Sequence, residues 1–457
     1  MSDTAGRPKK KHRWLRRIVW GIASVVVVLV IARVVAGIVT RHQFDARVRA
    51  LREAHVPVTL AEMAPPVVPD NENAAPLYMQ AFARFDLMTR AQLERIGFLG
   101  RKIEPLSDDE LSDARELLAE AAGTVDLLTS GSLRPVCRYD VNYGADPFRL
   151  RLPHLDKLRL GVALLRLAAE QDAAEGRPYA AFAHASCALR LARSTRDEPM
   201  LVSMLVDLGA SSSALREVEI ELDRWETSDA TLAELDRAIG PAMGRERLIR
   251  AIRAERTSGI EVMRLVMHDP NAVATYTRGG ESGPFFRFWV SMGVTLAEPL
   301  VVVDGLRYLD LMDALERLAA EPYRSGGAEW AKVNHVNENL AYRYSITHPF
   351  MRVMVPAVPR MMRVFDYGIA RAGEARIAVA LRRWRLAHGT YPETLDVLAP
   401  GLLADAPVDP FSGRAFHYRR EGGGFVLYSI GANARDESGV NADTTGGPDD
   451  VTWRCSR

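Results

Sequence analysis

The sequence predicts a mainly α-helical chain with an N-terminal transmembrane helix, a helical extracytoplasmic domain and a small α+β head at its C-terminus. Three observations predict it. A basic run leads into Ile18–Val39, 22 residues in which Arg33 is the one charge. Apolar residues then recur at helical spacing through most of residues 70–376, without a series of alternating strands and hairpin turns. From residue 366 onward, Gly, Pro and Asp punctuation and two short strand-like runs replace that pattern.

Composition sets the outer bounds. The chain has 457 residues, 48% hydrophobic and 26% charged, which suits two or three domains with a real core. It excludes a mainly disordered chain, a collagen-like fibre and a polytopic membrane protein. The net charge of +1 conceals an asymmetry: residues 1–17 hold seven Lys/Arg against one acid, and the remainder holds 52 basic against 57 acidic side chains. A strongly basic nucleic-acid-binding body is excluded on that count. Cys137, Cys187 and Cys455 allow one disulfide with one thiol left over, and they form no CxxC or Cys/His metal pattern.

Residues 1–17 read as a basic cytoplasmic tail and residues 18–39 as a signal anchor. At 1.5 Å per residue the apolar stretch is about 33 Å long, enough to cross a hydrocarbon core of roughly 30 Å. Arg33 lies near the far end, where its side chain can snorkel outward. The positive flank stays in the cytoplasm, so everything after residue 40 lies outside it, as in a single-pass protein of a bacterial inner membrane. The alternative is a cleaved signal peptide, with Val34-Val35-Ala36 before Gly37 as the cleavage site, but the apolar stretch exceeds a usual signal core.

Residues 40–365 read as the helical domain. Arg41–Glu53 continues as a charged amphipathic helix, and Pro57, Pro65, Pro66 and Pro69 mark a connector. Asn73 is placed to cap a helix over 74–85. Ser107-x-x-Glu110 forms a capping box ahead of apolar positions running from Leu111 to Val125. Helices follow over 155–175 and 179–193, broken at Gly176-Arg177-Pro178, then over 199–226, from Thr231-x-x-Glu234, and over 302–320. The pair meeting at Gly176 reads either as a generic antiparallel hairpin or as one tetratricopeptide-type unit with a concave peptide groove; no second copy follows at that period. Two apolar patches, Phe285–Leu296 and Phe350–Phe365, are too short or too broken by proline and arginine to span a bilayer. They are expected to bury against other helices, or else to lie on the nearby membrane surface.

Residues 366–457 form the head. A helix with Ile377, Ala380, Leu381, Trp384 and Ala387 on one face stops at Gly389, and a short helix begins near Glu393. Strands over 415–419 and 425–430 flank Glu421-Gly422-Gly423-Gly424, and an acidic loop from Gly431 to Asp450 closes with Val451-Thr452-Trp453. The segments Ala380–Pro392, Asp409-Pro410-Phe411-Ser412-Gly413, Leu427–Asn433 and Asn441-Ala442-Asp443 follow one another at compatible spacing. In this order they resemble the globular head of the major pseudopilin of type II secretion systems. The whole chain is also similar to bacterial membrane-anchored proteins that carry such a tail, a resemblance that implies no activity. The apolar helix lacks a pseudopilin's leader and Phe-Thr-Leu-Ile-Glu start, and over 300 residues separate it from the head, so polymerisation into a pilus is not expected.

In the pseudopilin head the acidic loop holds a structural calcium ion. Carried over, the resemblance implies ligands at Asn433 and Asp443, carbonyl oxygens from Leu427 and Ser429, and nearby acids at Asp436, Asp449 and Asp450. Calcium takes six to eight oxygen ligands in irregular geometry, which an acidic, Gly-rich loop can supply. Asn433 stands where an Asp is expected, which removes a charge and weakens the ion's hold. A solvated acidic loop without an ion is the other reading.

No pattern in the sequence discloses a reaction. It has no His-Glu-x-x-His pair, no Gly-x-Ser-x-Gly elbow and no phosphate loop, and His388 and Asp108-Asp109 fit ordinary helix ends. The expected role is therefore non-catalytic: an envelope protein that binds or scaffolds a protein partner, near a secretion or pilus-like assembly. Two rivals stand beside it: an envelope hydrolase with a site of dispersed acids and histidines, and a secreted binding protein if the anchor is cleaved.

Overall fold

A computed structural model of the protein describes residues 11–102, 105–241, 244–269, 284–321, 351, 358–440 and 449–457. The expected apolar segment and the amphipathic helix after it are one element: helix α1 runs unbroken over Lys11–Glu53, 43 residues. Gly37 is the one glycine near the join, and a lone glycine costs about 1 kcal/mol without ending a helix. The apolar side chains between Ile18 and Val35 stand exposed, whereas Gly37, Thr40, Phe44, Val48 and Leu51 are buried at helical spacing. The chain has one described helix long and apolar enough to cross a membrane, and it is this one.

Helices α2 (Ala75–Phe85), α3 (Arg90–Leu99), α4 (Asp108–Glu120), α5 (Ala122–Ser132), α6 (His154–Ala174), α7 (Pro178–Ala192), α8 (Leu201–Arg224) and α9 (Asp229–Ile239) form a bundle. The Ser107–Glu110 capping box is present as expected, and a second one, Thr89 with Gln92, opens α3. The run from Leu111 to Val125 is two helices, not one, because the chain leaves helical geometry at Ala121. Asn73 serves α2 from one position further out: its Oδ1 accepts from Ala75 N at 3.1 Å. Helix α9 starts earlier than Thr231, because Ser228 is the cap and its Oγ accepts from Thr231 N at 3.2 Å. α6 and α7 meet at Gly176, whose φ of 72° suits a residue without a Cβ.

Helices α10 (Arg245–His268), α11 (Pro284–Ala319) and α12 (Val358–His388) complete the helical part. α11 reaches far upstream of Val302 and carries Pro299 in its interior. α10 and α11 approach closely because Gly259 faces the Tyr308 ring and Gly305 faces Met263. α12 runs without a break through the boundary expected at 365/366. Beyond it lies an antiparallel sheet of β1 (His417–Glu421), β2 (Gly424–Ser429) and β3 (Val451–Cys455), in that order, with Tyr418, Leu427 and Trp453 side by side.

Two apolar cores organise these elements. One joins the bundle to the sheet through residues such as Phe82, Leu164, Leu222, Leu381, Phe425 and Trp453. The other gathers Phe44 and Val48 of α1 with Leu208, Met263, Tyr308, Met312 and Phe365. Arg371 of α12 ties the sheet to α8. It pairs with Glu219 and, at 3.2 Å, with Glu374, donates to Thr452 O at 2.9 Å and lies 4.7 Å over the Trp453 ring. Glu219 Oε1 also accepts from Arg454 N at 3.0 Å, so one buried carboxylate serves both units.

Candidate functional site

The residues implied by the calcium resemblance lie in the central strand β2 and in the segment after it, and most already have partners. Leu427 is buried in the central strand. Ser429 Oγ donates to Asp409 Oδ1 at 2.5 Å, and Asp409 also accepts from Phe411 N and Ser412 N, so the Asp-Pro-Phe-Ser-Gly turn clamps the end of β2. Asn433 gives its Nδ2 to Glu437 Oε1 at 2.7 Å and its backbone N–H to Asp449 Oδ2 at 3.1 Å. Asp436 accepts from Tyr428 OH at 3.0 Å and from Ser438 N at 2.8 Å. Asp450 Oδ2 accepts from Gly439 N at 2.8 Å. Burial, then the neighbouring Glu437 and Asp436, push the Asp450 carboxyl up to about 6. Asp443 lies outside the described residues. Glu437, which the sequence left as one more loop acid, is brought against Asp450 by the fold. Glu437 Oε2, Asp449 Oδ1 and Asp450 Oδ1 are buried oxygens without a hydrogen bond, so the donor set suits a hard cation.

A second carboxylate group lies inside the bundle. Glu170 of α6 and Glu217 and Glu221 of α8 each offer an oxygen within 4.8 Å of the others. This spacing would suit a metal, but two guanidinium groups already occupy the acids. Arg224 Nη1 and Nη2 reach the two oxygens of Glu170 at 3.1 Å each, and Arg166 lies 3.2 Å from Glu217. Burial pushes Glu217 up to about 7 despite Arg166, and burial with Glu217 beside it pushes Glu221 up to about 8. Glu217 Oε1 and Glu221 Oε2 have no hydrogen bond, and burial with like charge beside it favours the protonated form of each. The arrangement is thus a proton-holding charge cluster that links α6 to α8.

Among the described residues, the acids and histidines of the hydrolase reading meet at His184 and Asp172, 2.7 Å apart, at His417 and Asp436, 3.5 Å apart, and in one fully buried pair. His154 Nε2 lies 2.8 Å from Glu198 Oε1, and the imidazole stacks on Tyr139 at 4.0 Å. Ser203 Oγ donates to Glu198 Oε2 at 2.5 Å, not to the histidine. A nucleophile needs the base beside it and the acid behind the base. Here the acid stands between, and all three side chains are buried. Cys137 has its thiol pushed up to about 12 by burial, which keeps it protonated and unreactive.

A groove of about 980 Å³ lies between the ends of α5, α7 and α9. Tyr78 of α2 and Ala74 just before that helix line it, and Leu133, Pro135, Val136 and Pro241 add apolar surface. Five arginines line it as well, Arg134, Arg190, Arg193, Arg196 and Arg237, against two acids, Asp197 and Glu234. Arg190 pairs with Glu234, which Arg237 also meets at 2.7 Å. Arg193 donates to Ala238 O at 3.0 Å and Arg134 to Asn71 O. Among the described residues no carboxylate pairs with Arg134, Arg193 or Arg196. Burial, and after it the nearby Arg196, bring Arg193 down to about 10. Gly240 closes the groove at a φ of 60°, where a Cβ would overlap the Arg193 guanidinium. No local pattern marks this site, because its arginines come from two helices, α7 and α9, and from the connectors after α5 and α7.

No family model, curated protein or solved structure matches the chain.

The proton-holding cluster yields a signed pH dependence. An unfolded glutamate releases its proton near 4.3, whereas Glu221 keeps its own to about 8 when folded. The folded state thus holds the extra proton, and its contribution is present in acid and lost as pH rises through about 8. Glu221→Gln should leave stability nearly unchanged at low pH. In alkali it should raise stability by about 1–3 kcal/mol, because a buried charge is no longer formed. Urea unfolding on both sides of this window measures it, and equal effects at both pH values would contradict the assignment.

Proposed function

We propose that the protein is a non-catalytic, membrane-anchored envelope protein whose helical body binds an acidic segment of a protein partner in the arginine-lined groove. The groove carries this reading. Its positive excess lies on a concave surface that also offers Leu133, Val136 and proline, the mixture that suits a peptide with acidic and apolar residues. Guanidinium groups bind carboxylates through paired donors, and the scaffold holds them ready. The basic tail and the apolar half of α1 support a single-pass anchor in a bacterial inner membrane, with the N-terminus cytoplasmic and the body outside. A place near a secretion or pilus-like assembly rests on the resemblance of the C-terminal head alone.

Fluorescence anisotropy of the full chain with labelled Glu/Leu-rich peptides tests the groove. Binding should weaken as salt rises. It should fall by about tenfold or more in Arg193→Glu/Arg196→Glu, a loss of at least one hydrogen-bonded charge contact. Lys/Leu-rich peptides should not bind. Equal binding of the acidic peptides by the double variant would refute the groove as their site.

The C-terminal head is proposed to take calcium through Glu437, Asp449 and Asp450, whose unpaired oxygens fit it, with Asp436 beside them. The ion would join the loop to β3 and would have no chemical role. The full chain should unfold at a higher temperature in calcium than in chelator, and Asp450→Asn should abolish that difference. An unchanged midpoint in the wild-type protein would leave the loop as a solvated turn.

A further inference from the structure

Helices α1 and α11 lie side by side with a nearly constant difference in residue number. Arg33 Nη2 donates to Thr295 O and reaches Glu298 Oε2 at 3.0 Å. Gly37 faces Pro299, and Arg47 pairs with Asp313 and lies 3.6 Å from Asp310. The partners thus advance along α11 as the position advances along α1, with separations of 262 and 265 at Arg33 and 266 at Arg47. Two helices with the same rise keep a constant separation only when they run parallel. Arg41 breaks the interval because it reaches back to the same carboxylate, Glu298.

This register fixes depth. Thr295 to Pro299 lie level with Arg33 to Gly37, inside the apolar segment Ile18–Val39. α11 continues from there toward its start at Pro284, in the direction of the exposed apolar half of α1. Its sequence over that stretch, Pro-Phe-Phe-Arg-Phe-Trp-Val-Ser-Met-Gly-Val-Thr-Leu, is dominated by apolar residues. Leu296 and Leu300, one helical turn apart, are 63% and 65% exposed, on the side away from α1. Glu298 would be costly in hydrocarbon if unpaired, but it is buried and answered by Arg33 and Arg41. The same contact gives Arg33 a partner within the apolar segment.

We propose that the N-terminal half of α11 is a second lipid-contacting element, which enters the bilayer from its outer face beside the anchor and is held at that depth by Glu298. The inference rests on the membrane reading of α1. The partner is the acyl-chain region of a phospholipid bilayer: charge is neutralised inside the pair and apolar side chains face outward, the reverse of a soluble surface.

The full chain in phosphatidylethanolamine/phosphatidylglycerol vesicles, containing a phospholipid with a diazirine on its acyl chain, tests this without altering the protein. After illumination and tryptic digestion, adducts should appear on the anchor peptide from Ile18 to Arg33. They should also appear on the peptide from Phe288 to Arg307, at about tenfold or more above Asp197–Arg216 of the bundle, as expected for a segment in hydrocarbon rather than water. Within Phe288–Arg307 they should fall on Leu296 and Leu300 and spare Glu298. An adducted anchor with Phe288–Arg307 at background overturns this inference and leaves the anchor standing. Background on both peptides overturns the membrane reading itself. Glu298→Lys should cut labelling of Phe288–Arg307 while the anchor stays labelled; undiminished labelling contradicts Glu298 as the element that sets the depth.

Discussion

Arg33, Arg41 and Arg47 reach from one face of α1 to Glu298, Asp310 and Asp313 of α11, and the remaining architecture is built around that pairing. Because α1 has no break between its apolar half and its buried half, whatever fixes its C-terminal turns also fixes the direction of its N-terminal turns. The ion pairs and the stripe of Phe44, Val48 and Leu51 supply that fixation. The apolar half of α1 is therefore joined to the body without a flexible linker. Exposed single ion pairs contribute little, but these are partly buried and repeat along a shared apolar seam. Their main consequence is register, since a slip of one residue would set arginines against the apolar positions of the neighbouring helix.

The same principle recurs where the C-terminal sheet meets the bundle. Arg371 is buried between Glu219 and Glu374, and the backbone of β3 closes the cage at Arg454 and Thr452. Breaking such a pair leaves a buried charge without an answer, so the geometry is strongly specified even where net stabilisation is small. The sheet is thus a part of the body that shares its core, and the acidic loop at its edge is displayed from a rigid base. The arginine groove lies elsewhere on that base, among α5, α7 and α9.

Local signals were legible in the sequence and long-range ones were not. Ser107 with Glu110, Gly176 and the hairpin glycines act within a few residues, and each stands where its chemistry requires it. Helix ends were less exact. Ser228 outcompetes Thr231 as a cap, and α11 continues through Pro299, which faces Gly37 of α1. Arg33 illustrates the harder problem. Its position suggested a side chain that snorkels away from hydrocarbon, and the fold instead gives it Glu298, 265 residues later. The groove was hidden for the same reason, since Arg134, Arg193 and Arg237 are ordinary surface arginines until three separate segments meet. Glu437 differed from the other loop acids only in the neighbour that the turn gives it, Asp450.

The claim on which these arguments rest is the parallel register of α1 and α11, and disulfide trapping in membranes tests it most directly. Gly37→Cys combined with Pro299→Cys should oxidise readily to an intramolecular disulfide, since a side chain at 37 meets the Pro299 ring at 3.9 Å. Gly37→Cys combined with Arg317→Cys should not, because 18 further residues place that position about 27 Å along the helix. Efficient crosslinking of the second pair, or none of the first under conditions that oxidise surface thiols, would contradict the register and with it the rigid coupling of the apolar half of α1 to the body.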